Sequence, residues 1–368
     1  GDYLTVPSTT DFAFGTGDFT VEYWVKAGSA PAGTDYGYFA GGYGPSTWSS
    51  VDRLDYSSDT PTMTSKGPLP EVRKNGTATG NQSYGYFGGG EPGKTEVDRI
   101  DYSNDTATAL RKGNLLLNDD YQGSVGNTDY GYWAGGYPAQ TVTTIARLDY
   151  SNDSTDAVAK GSLMNAAWVA GVGNMNYGYF GGSGWWPSPG DTSIIQRIEY
   201  SNDTATAVQK GPFATVRSNM FAGAGTADYG YWMGGLGAGG ITVSSVDRVD
   251  YSNDTATAAS KGPLDIARKY HGTTGNASYG YNAGGGPAPE PALSTTSRLD
   301  YSSDTSTASP KGPLTVMRYA PLATSSRVYG MPNTANITAA NIINPDSETG
   351  SGYWSHQYDT TFDWNSEY

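Results

Sequence analysis

The sequence contains no cysteine, which excludes disulfide staples, thiol nucleophiles and thiolate metal sites. A chain this long does not need such staples, so their absence does not identify a compartment. Histidine is almost as scarce. His271 and His356 stand in different contexts, leaving little material for a Ser-His-Asp triad or a His-based metal site. Charged residues make up only 16% of the chain, and 22 Lys+Arg against 36 Asp+Glu give a net charge of −14. Nucleic-acid binding needs a basic footprint, which is missing, and anionic membranes are disfavoured for the same reason. No apolar run approaches the ~20 residues of a membrane span, so no membrane insertion is expected. Regular helix is excluded by Gly 51 and Pro 20, together 71 of 368 positions. A disordered chain of this glycine content would carry more charge and would lack the 13% of aromatic residues. What remains is a folded, loop-rich, all-β protein with a surface of Ser, Thr, Asn and Tyr. The opening Gly1-Asp2-Tyr3 shows neither Met nor signal peptide, as expected of a processed or incompletely represented N-terminus.

The abundant residues are organised by a repeat. Tyr-Gly-Tyr begins at Tyr36, Tyr84, Tyr130, Tyr177, Tyr229 and Tyr279, with a decayed copy at Tyr329. A period near 50 residues signals a propeller or solenoid. Each unit runs Tyr-Gly-Tyr, a glycine pair, a variable loop, and an alternating strand such as Val51–Tyr56. Ser-(Ser/Asn)-Asp, a Thr/Ala-rich strand, Lys-Gly and often an Arg then lead through small residues into the next unit. That is four short strands separated by turn signals, with no helical period.

These units resemble the kelch repeat family, in which a glycine doublet ends the second strand of each blade. Gly41-Gly42, Gly89-Gly90, Gly135-Gly136, Gly181-Gly182, Gly234-Gly235 and Gly285-Gly286 fill that place. The third-strand Tyr of the family matches Tyr56, Tyr102, Tyr150, Tyr200, Tyr251 and Tyr301, while its later Trp is missing. With strands lettered a to d from the axis outward, the first unit starts at strand b. A strand around Arg318 to Ser326 would then complete the first blade and close the ring without an open edge. The expected architecture is a six-bladed kelch-like β-propeller over residues 32–330, with a β segment at 1–31 and a tail at 331–368. Seven blades, the last built from both tails, is the alternative.

Length variation locates the expected recognition surface. From third-strand Tyr to Lys the spacing is 10 in every unit, whereas from Tyr-Gly-Tyr to that Tyr it ranges from 18 to 23. Variation therefore concentrates in the b–c loop, which emerges with the d–a loop on one face. The b–c loops carry Trp48 in unit one and Trp185-Trp186 in unit four. These residues either stack on sugar rings or a protein partner, or pack across a neighbouring blade.

Other signals yield to the repeat. Gly88–Thr95 satisfies the phosphate-loop pattern and Gly235–Gly240 the dinucleotide pattern, but each precedes a strand rather than a helix. Asp101, Ser103 and Asp105 have calcium-loop spacing without that loop's Gly or terminal Glu, and turn capping explains the same letters. No cofactor is expected. Asn104, Asn152, Asn202 and Asn253 sit in glycosylation sequons at turns. The once-per-unit Arg (Arg53 in the first) and Lys are expected to be scaffold, pairing with a nearby Asp. A copper-oxidase kelch site is excluded by the missing Cys, and no singular Arg cluster marks a sialidase-type site.

Residues 2–26 resemble the opening strands of laminin-G/concanavalin-like lectin domains. The aromatic-rich C-terminal tail would pair with that segment or add strands to a neighbouring subunit. The Asp-Tyr-Ser-Asn-Asp-Thr units also resemble propeller repeats of marine bacteriophage tail-fibre and virion proteins. That resemblance implies a non-enzymatic structural or host-recognition role on a virion or extracellular surface. The implied partners are a host glycan or protein, other virion proteins, or further copies of the chain. A bacterial adhesin or filament subunit is the second expectation, and a carbohydrate-active enzyme the third, requiring paired carboxylates in a pocket.

Overall fold

The computed structural model describes residues 36–136, 143–164, 168–182, 193–218, 223–287 and 291–325. They form six four-stranded antiparallel sheets arranged as the blades of a propeller. Blade 2 is representative, with strand a at Thr77–Gly80, b at Tyr84–Gly88, c at Glu96–Asp101 and d at Leu110–Asn114. Blade 1 is assembled from both ends of the ring. Its b, c and d strands are Tyr36–Ala40, Val51–Asp55 and Thr64–Lys66, and its a strand is Leu322–Ser325. Gly37 pairs with Ser325 and Ala40 with Leu322, so the ring closes through the late strand, as the strand count requires.

The short a, b and c strands are mostly buried, because each sheet is covered on both faces by its neighbours, while the outer d strands are largely exposed. The core is therefore a set of inter-blade layers. One of them packs Tyr38 and Leu69 of blade 1 against Phe87, Ile100 and Tyr102 of blade 2. The glycine doublets turn the chain out of strand b at positive φ, with Gly41 at +65° and Gly42 at +90°. The backbone shifts two of the doublets read from the sequence. In blade 6 the positive-φ pair is Gly284-Gly285 rather than Gly285-Gly286, because strand b ends at Ala283. In blade 4 strand b extends through Gly181, and the turn begins at Gly182.

One clasp, repeated six times, joins the blades. Asp105 of blade 2 accepts from Tyr38 Oη (2.9 Å), Arg53 (2.8 Å) and Lys66 (3.0 Å) of blade 1. Asp153, Asp203, Asp254 and Asp304 receive the same three groups from blades 2 to 5, and Asp59 receives them from blade 6. The clasp Tyr also stacks on the third-strand Tyr of the next blade, at 4.4–5.1 Å between centroids. The repeated Arg does pair with an Asp, but the Asp belongs to the following blade rather than to its own turn. The Arg lies over the first Tyr of Tyr-Gly-Tyr, as Arg53 does 3.9 Å above Tyr36.

The Lys-Gly glycine completes this joint. Its N–H donates to the backbone carbonyl of the clasp Asp, as in Gly262 to Asp304 at 2.8 Å. A Cβ on Gly262 would stand 2.0 Å from the Ser306 carbonyl oxygen, and the other five clasp glycines meet a carbonyl at 1.7–1.9 Å. Gly262→Ala must therefore push two blades apart. It is expected to cost about 3 kcal/mol, within the overpacking range and its upper tail, measured by urea denaturation. A loss under ~1 kcal/mol would show that the blades separate freely at this joint.

Candidate functional site at the axial mouth

The clasp consumes the residues that first suggested metal binding. Asp101 Oδ1 accepts from the Ser103 backbone N–H (2.9 Å) and hydroxyl (2.6 Å), capping a single 3-10 turn at Tyr102–Asn104. Asp105 is saturated by blade 1. Among the described residues no group of three or more His, Cys, Asp or Glu side chains could hold a metal ion. The two nucleotide-like loops also lead into strands, Glu96–Asp101 and Val246–Asp250. In the second, only a 3-10 turn at Ala238–Gly240 intervenes.

Two clefts of about 340 Å³ lie between blades 3 and 4 and between blades 4 and 5, on the a–b/c–d face. Tyr177 borders both. Their other walls are the same turn residues in successive copies, for instance Tyr200-Ser201 and Tyr251-Ser252. They follow the repeat, as scaffold does.

The opposite face departs from the repeat at one position per blade. The residue two places before each innermost strand is Asn75, Tyr121, Trp168, Tyr270 and Ala320 in blades 2, 3, 4, 6 and 1. All five have positive φ, between +47° and +59°. Bulky side chains are rare in that region and cost of order 1 kcal/mol there, while Asn is at ease. Three of the five are nevertheless large aromatics. Because strand a is innermost, these side chains gather around the axis. Tyr121 stacks on Trp168 at 4.8 Å and meets Tyr270, half a ring away, at 6.3 Å. Tyr270 in turn touches Tyr319, which packs on Tyr43 of a b–c loop. Tyr43, Tyr121, Trp168 and Tyr270 are only half-buried, so part of each ring remains open to solvent.

A polar network adjoins the rings. Glu91, just after the glycine pair of blade 2, accepts from Asn75 Nδ2 (2.7 Å) and Lys74 Nζ (2.7 Å). Asn75 Nδ2 also reaches Tyr121 Oη at 3.1 Å. Asp120, immediately before Tyr121, is buried against Glu91. Burial, then the hydrogen bond and charge of Glu91, push the Asp120 carboxyl up to about 7. Partial burial works to raise Glu91 too, but hydrogen bonds from Asp120, Lys74 and Asn75 hold it below the usual carboxylate range. The pair therefore shares one proton near neutrality, with Asp120 as donor and Glu91 as acceptor. Lys74 and Lys269 stand about 5 Å from the ring centroids of Tyr43 and Tyr270.

The mouth rests on buried arginines. Arg73, Arg217, Arg268 and Arg318 are fully buried under the b–c loops and donate to the first carbonyl of the doublet, Gly89, Gly234, Gly284 and Gly41 respectively. Three pair with a c-strand aspartate: Arg73 with Asp98, Arg217 with Asp247, and Arg318 with Asp52. In blade 3 both partners are replaced, the Arg by Asp119 and the Asp by Ala146. That is the blade whose loop supplies Asp120 and Tyr121 to the mouth.

His271 follows Tyr270 but faces inward and is fully buried. Burial, reinforced by the charge on Arg268, lowers it to about 3, so it is neutral in the fold. The depressed value means that unfolding takes up a proton as pH falls below about 6.5. Stability contributed by the neutral ring is then lost at about 1.4 kcal/mol per pH unit between pH 6 and pH 4. His271→Gln is expected to flatten that part of the stability–pH curve, followed by urea midpoints. An unchanged slope would place the proton uptake elsewhere.

Of the residues singled out in the sequence, Trp48 lies on the nominated face in the b–c loop of blade 1. It is half-buried, and among the described residues no ring packs on it. Trp185 and Trp186 lie outside the described residues. The axial cluster was not among the expected site residues. Its signal was the residue eight or nine places after each repeated Lys, which is Asn75, Tyr121, Trp168, Tyr270 or Ala320 in otherwise parallel segments.

No family model matches the chain, and no curated protein matches it. Among solved structures it is similar to one titled "Structure of YjhT", with a TM-score of 0.57 and 12% identity over 70% of this chain and 88% of that one. At that identity the likeness shows the fold, a six-bladed β-propeller, and nothing of the site.

Proposed function

We propose that the chain is a non-enzymatic recognition protein of an extracellular or virion surface, built on kelch-like blades and binding a host glycan through its b–c/d–a face. The observation that carries this reading is the axial mouth, where solvent-facing aromatic rings adjoin a compact set of hydrogen-bond donors and acceptors. Sugar recognition needs both: apolar ring faces for the C–H surface of a pyranose, and planar polar groups for its hydroxyls. The repeat resemblance to phage tail-fibre and virion proteins supports a structural setting for that binding. A bacterial adhesin would use the same face.

The carboxylate pair motivates a second reading, a carbohydrate-active enzyme, but its geometry favours binding. Glycosidase carboxyls flank the scissile bond at ~5–5.5 Å or ~6.5–9.5 Å, leaving room for the sugar or for water. Glu91 and Asp120 hydrogen-bond to each other, so no glycosidic oxygen fits between them. A glycan array with the wild-type protein, Tyr121→Ala and Trp185→Ala/Trp186→Ala tests the proposal. Retained glycans that weaken at least tenfold in one of the variants are expected. Absence of glycan binding, or turnover of a bound glycan, would overturn it.

A further inference from the structure

Resting on that glycan-binding reading, we propose that the axial mouth is a subsite for one uncharged pyranose ring, packed against the Tyr121–Trp168 stack, whose vicinal hydroxyls are read by Glu91 as acceptor and Lys74 as donor. Three observations converge on it. The first is asymmetry: clasps, clefts and doublets follow the repeat, but the position before the inner strand does not. Three aromatic side chains occupy it in a backbone conformation that strains them. Packing alone does not call for that strain, since Ala320 occupies the same position in blade 1.

The second is the chemistry of the polar groups. Adjacent hydroxyls of a pyranose each donate one hydrogen bond and accept others, so a partner with both functions side by side suits them. Glu91 supplies acceptor oxygens and remains about one-third exposed. Lys74, about as exposed, keeps ammonium N–H groups beyond the one that it gives Glu91.

The third is the charge. The groups facing Asp120 and Glu91 are Lys74 and Asn75 from the d–a loop of blade 2, and Asp119 and Tyr121 flanking Asp120. Tyr43 and Tyr270 stand near Tyr121 from blades 1 and 6. Lys74 is committed to Glu91, and the further cation at the mouth, Lys269, lies against the Tyr270 ring. A sugar carboxylate packed at Tyr121 would meet Glu91, whose cation is already paired. An uncharged ring has no such conflict.

Calorimetric titration tests this with a panel of methyl hexopyranosides and the matching methyl hexopyranosiduronates. At least one neutral glycoside is expected to bind at pH 6.5 at least tenfold more tightly than its uronate. Glu91→Gln and Tyr121→Ala, each with wild-type circular dichroism, should weaken it at least tenfold, whereas Trp185→Ala/Trp186→Ala should leave it unchanged. Lys74→Met, again with wild-type circular dichroism, should weaken the glycoside at least tenfold. A uronate that binds as well as its neutral counterpart would overturn the proposal, as would a Glu91→Gln protein of wild-type affinity. If longer glycans bind and only the Trp185/Trp186 variant affects them, the subsite fails while the glycan-binding reading stands. If no glycan binds at all, both fail.

Discussion

Asp153→Ala is expected to destabilise the ring by about 3 kcal/mol, the largest effect of any single clasp substitution. Asp153 accepts from Arg99 (2.6 Å), Lys112 (3.0 Å) and the Tyr86 hydroxyl (3.0 Å), all from the preceding blade. Removing the carboxylate leaves two adjacent cations and a buried phenol without their acceptor. Breaking a buried ion pair by deleting one partner costs ~3–5 kcal/mol. The lower end applies because the Arg99 and Lys112 side chains are 18% and 15% exposed, so water solvates part of the orphaned charge. Calorimetric unfolding should show a melting temperature lower by roughly 6–10 °C, with Asp153→Asn about half as damaging because it still accepts a hydrogen bond. A shift below ~2 °C would mean that apolar packing alone sets the cohesion between blades. Asp59 makes the same joint between the first and last blades, so Asp59→Ala should cost as much.

The second prediction concerns the arginines beneath the mouth. Arg73 and Asp98 are both fully buried, and Arg73 also donates to the carbonyls of Gly89 (3.0 Å) and Glu96 (2.9 Å). Arg73→Met should cost about 3 kcal/mol, the lower end for a broken buried pair, because Asp98 is left buried and ionised with only the more distant and partly exposed Arg111 (3.5 Å) beside it. Arg73→Met with Asp98→Leu should recover at least ~2 kcal/mol of that loss in a double-mutant cycle, since an apolar pair of similar volume relieves the stranded charge. Blade 3 lacks the pair altogether, with Asp119 and Ala146 at these places, so the ring tolerates its loss when both partners change. If the double variant were as unstable as the single, the arginine would act mainly through the loop carbonyls that it holds.

These two networks mark where the sequence stopped being legible. The blades could be read directly, because Tyr-Gly-Tyr, the doublet and Lys-Gly act within a few residues of themselves and recur. Ring closure followed from counting strands. The partner of Arg53 was harder, since Asp105 lies 52 positions on, in the next copy of the same turn. Asp59, in the arginine's own unit, was the nearer candidate, and only the ring shows that it serves Arg298. In a repeat protein, within-unit and between-unit pairings spell the same letters. The mouth was hidden for the opposite reason. Tyr121, Trp168 and Tyr270 hold one repeat position in segments far apart along the chain, and only convergence on the axis makes them neighbours. Glu91 was visible only inside a loop that mimics a phosphate-binding motif. Trp48, the aromatic that stood out by composition, is not part of the cluster.

The late closing strand has one more consequence, for orientation. The chain enters the ring at Tyr36, where strand b begins, and leaves it at Ser325, where strand a ends. Gly37 and Ser325 are paired, so both crossings lie together on the a–b/c–d side. Tyr121, Glu91 and the loops around them lie on the other side. Covalent tethers at either crossing would therefore hold the ring by its back. A molecule displayed in this way presents its mouth outward whichever end is fixed.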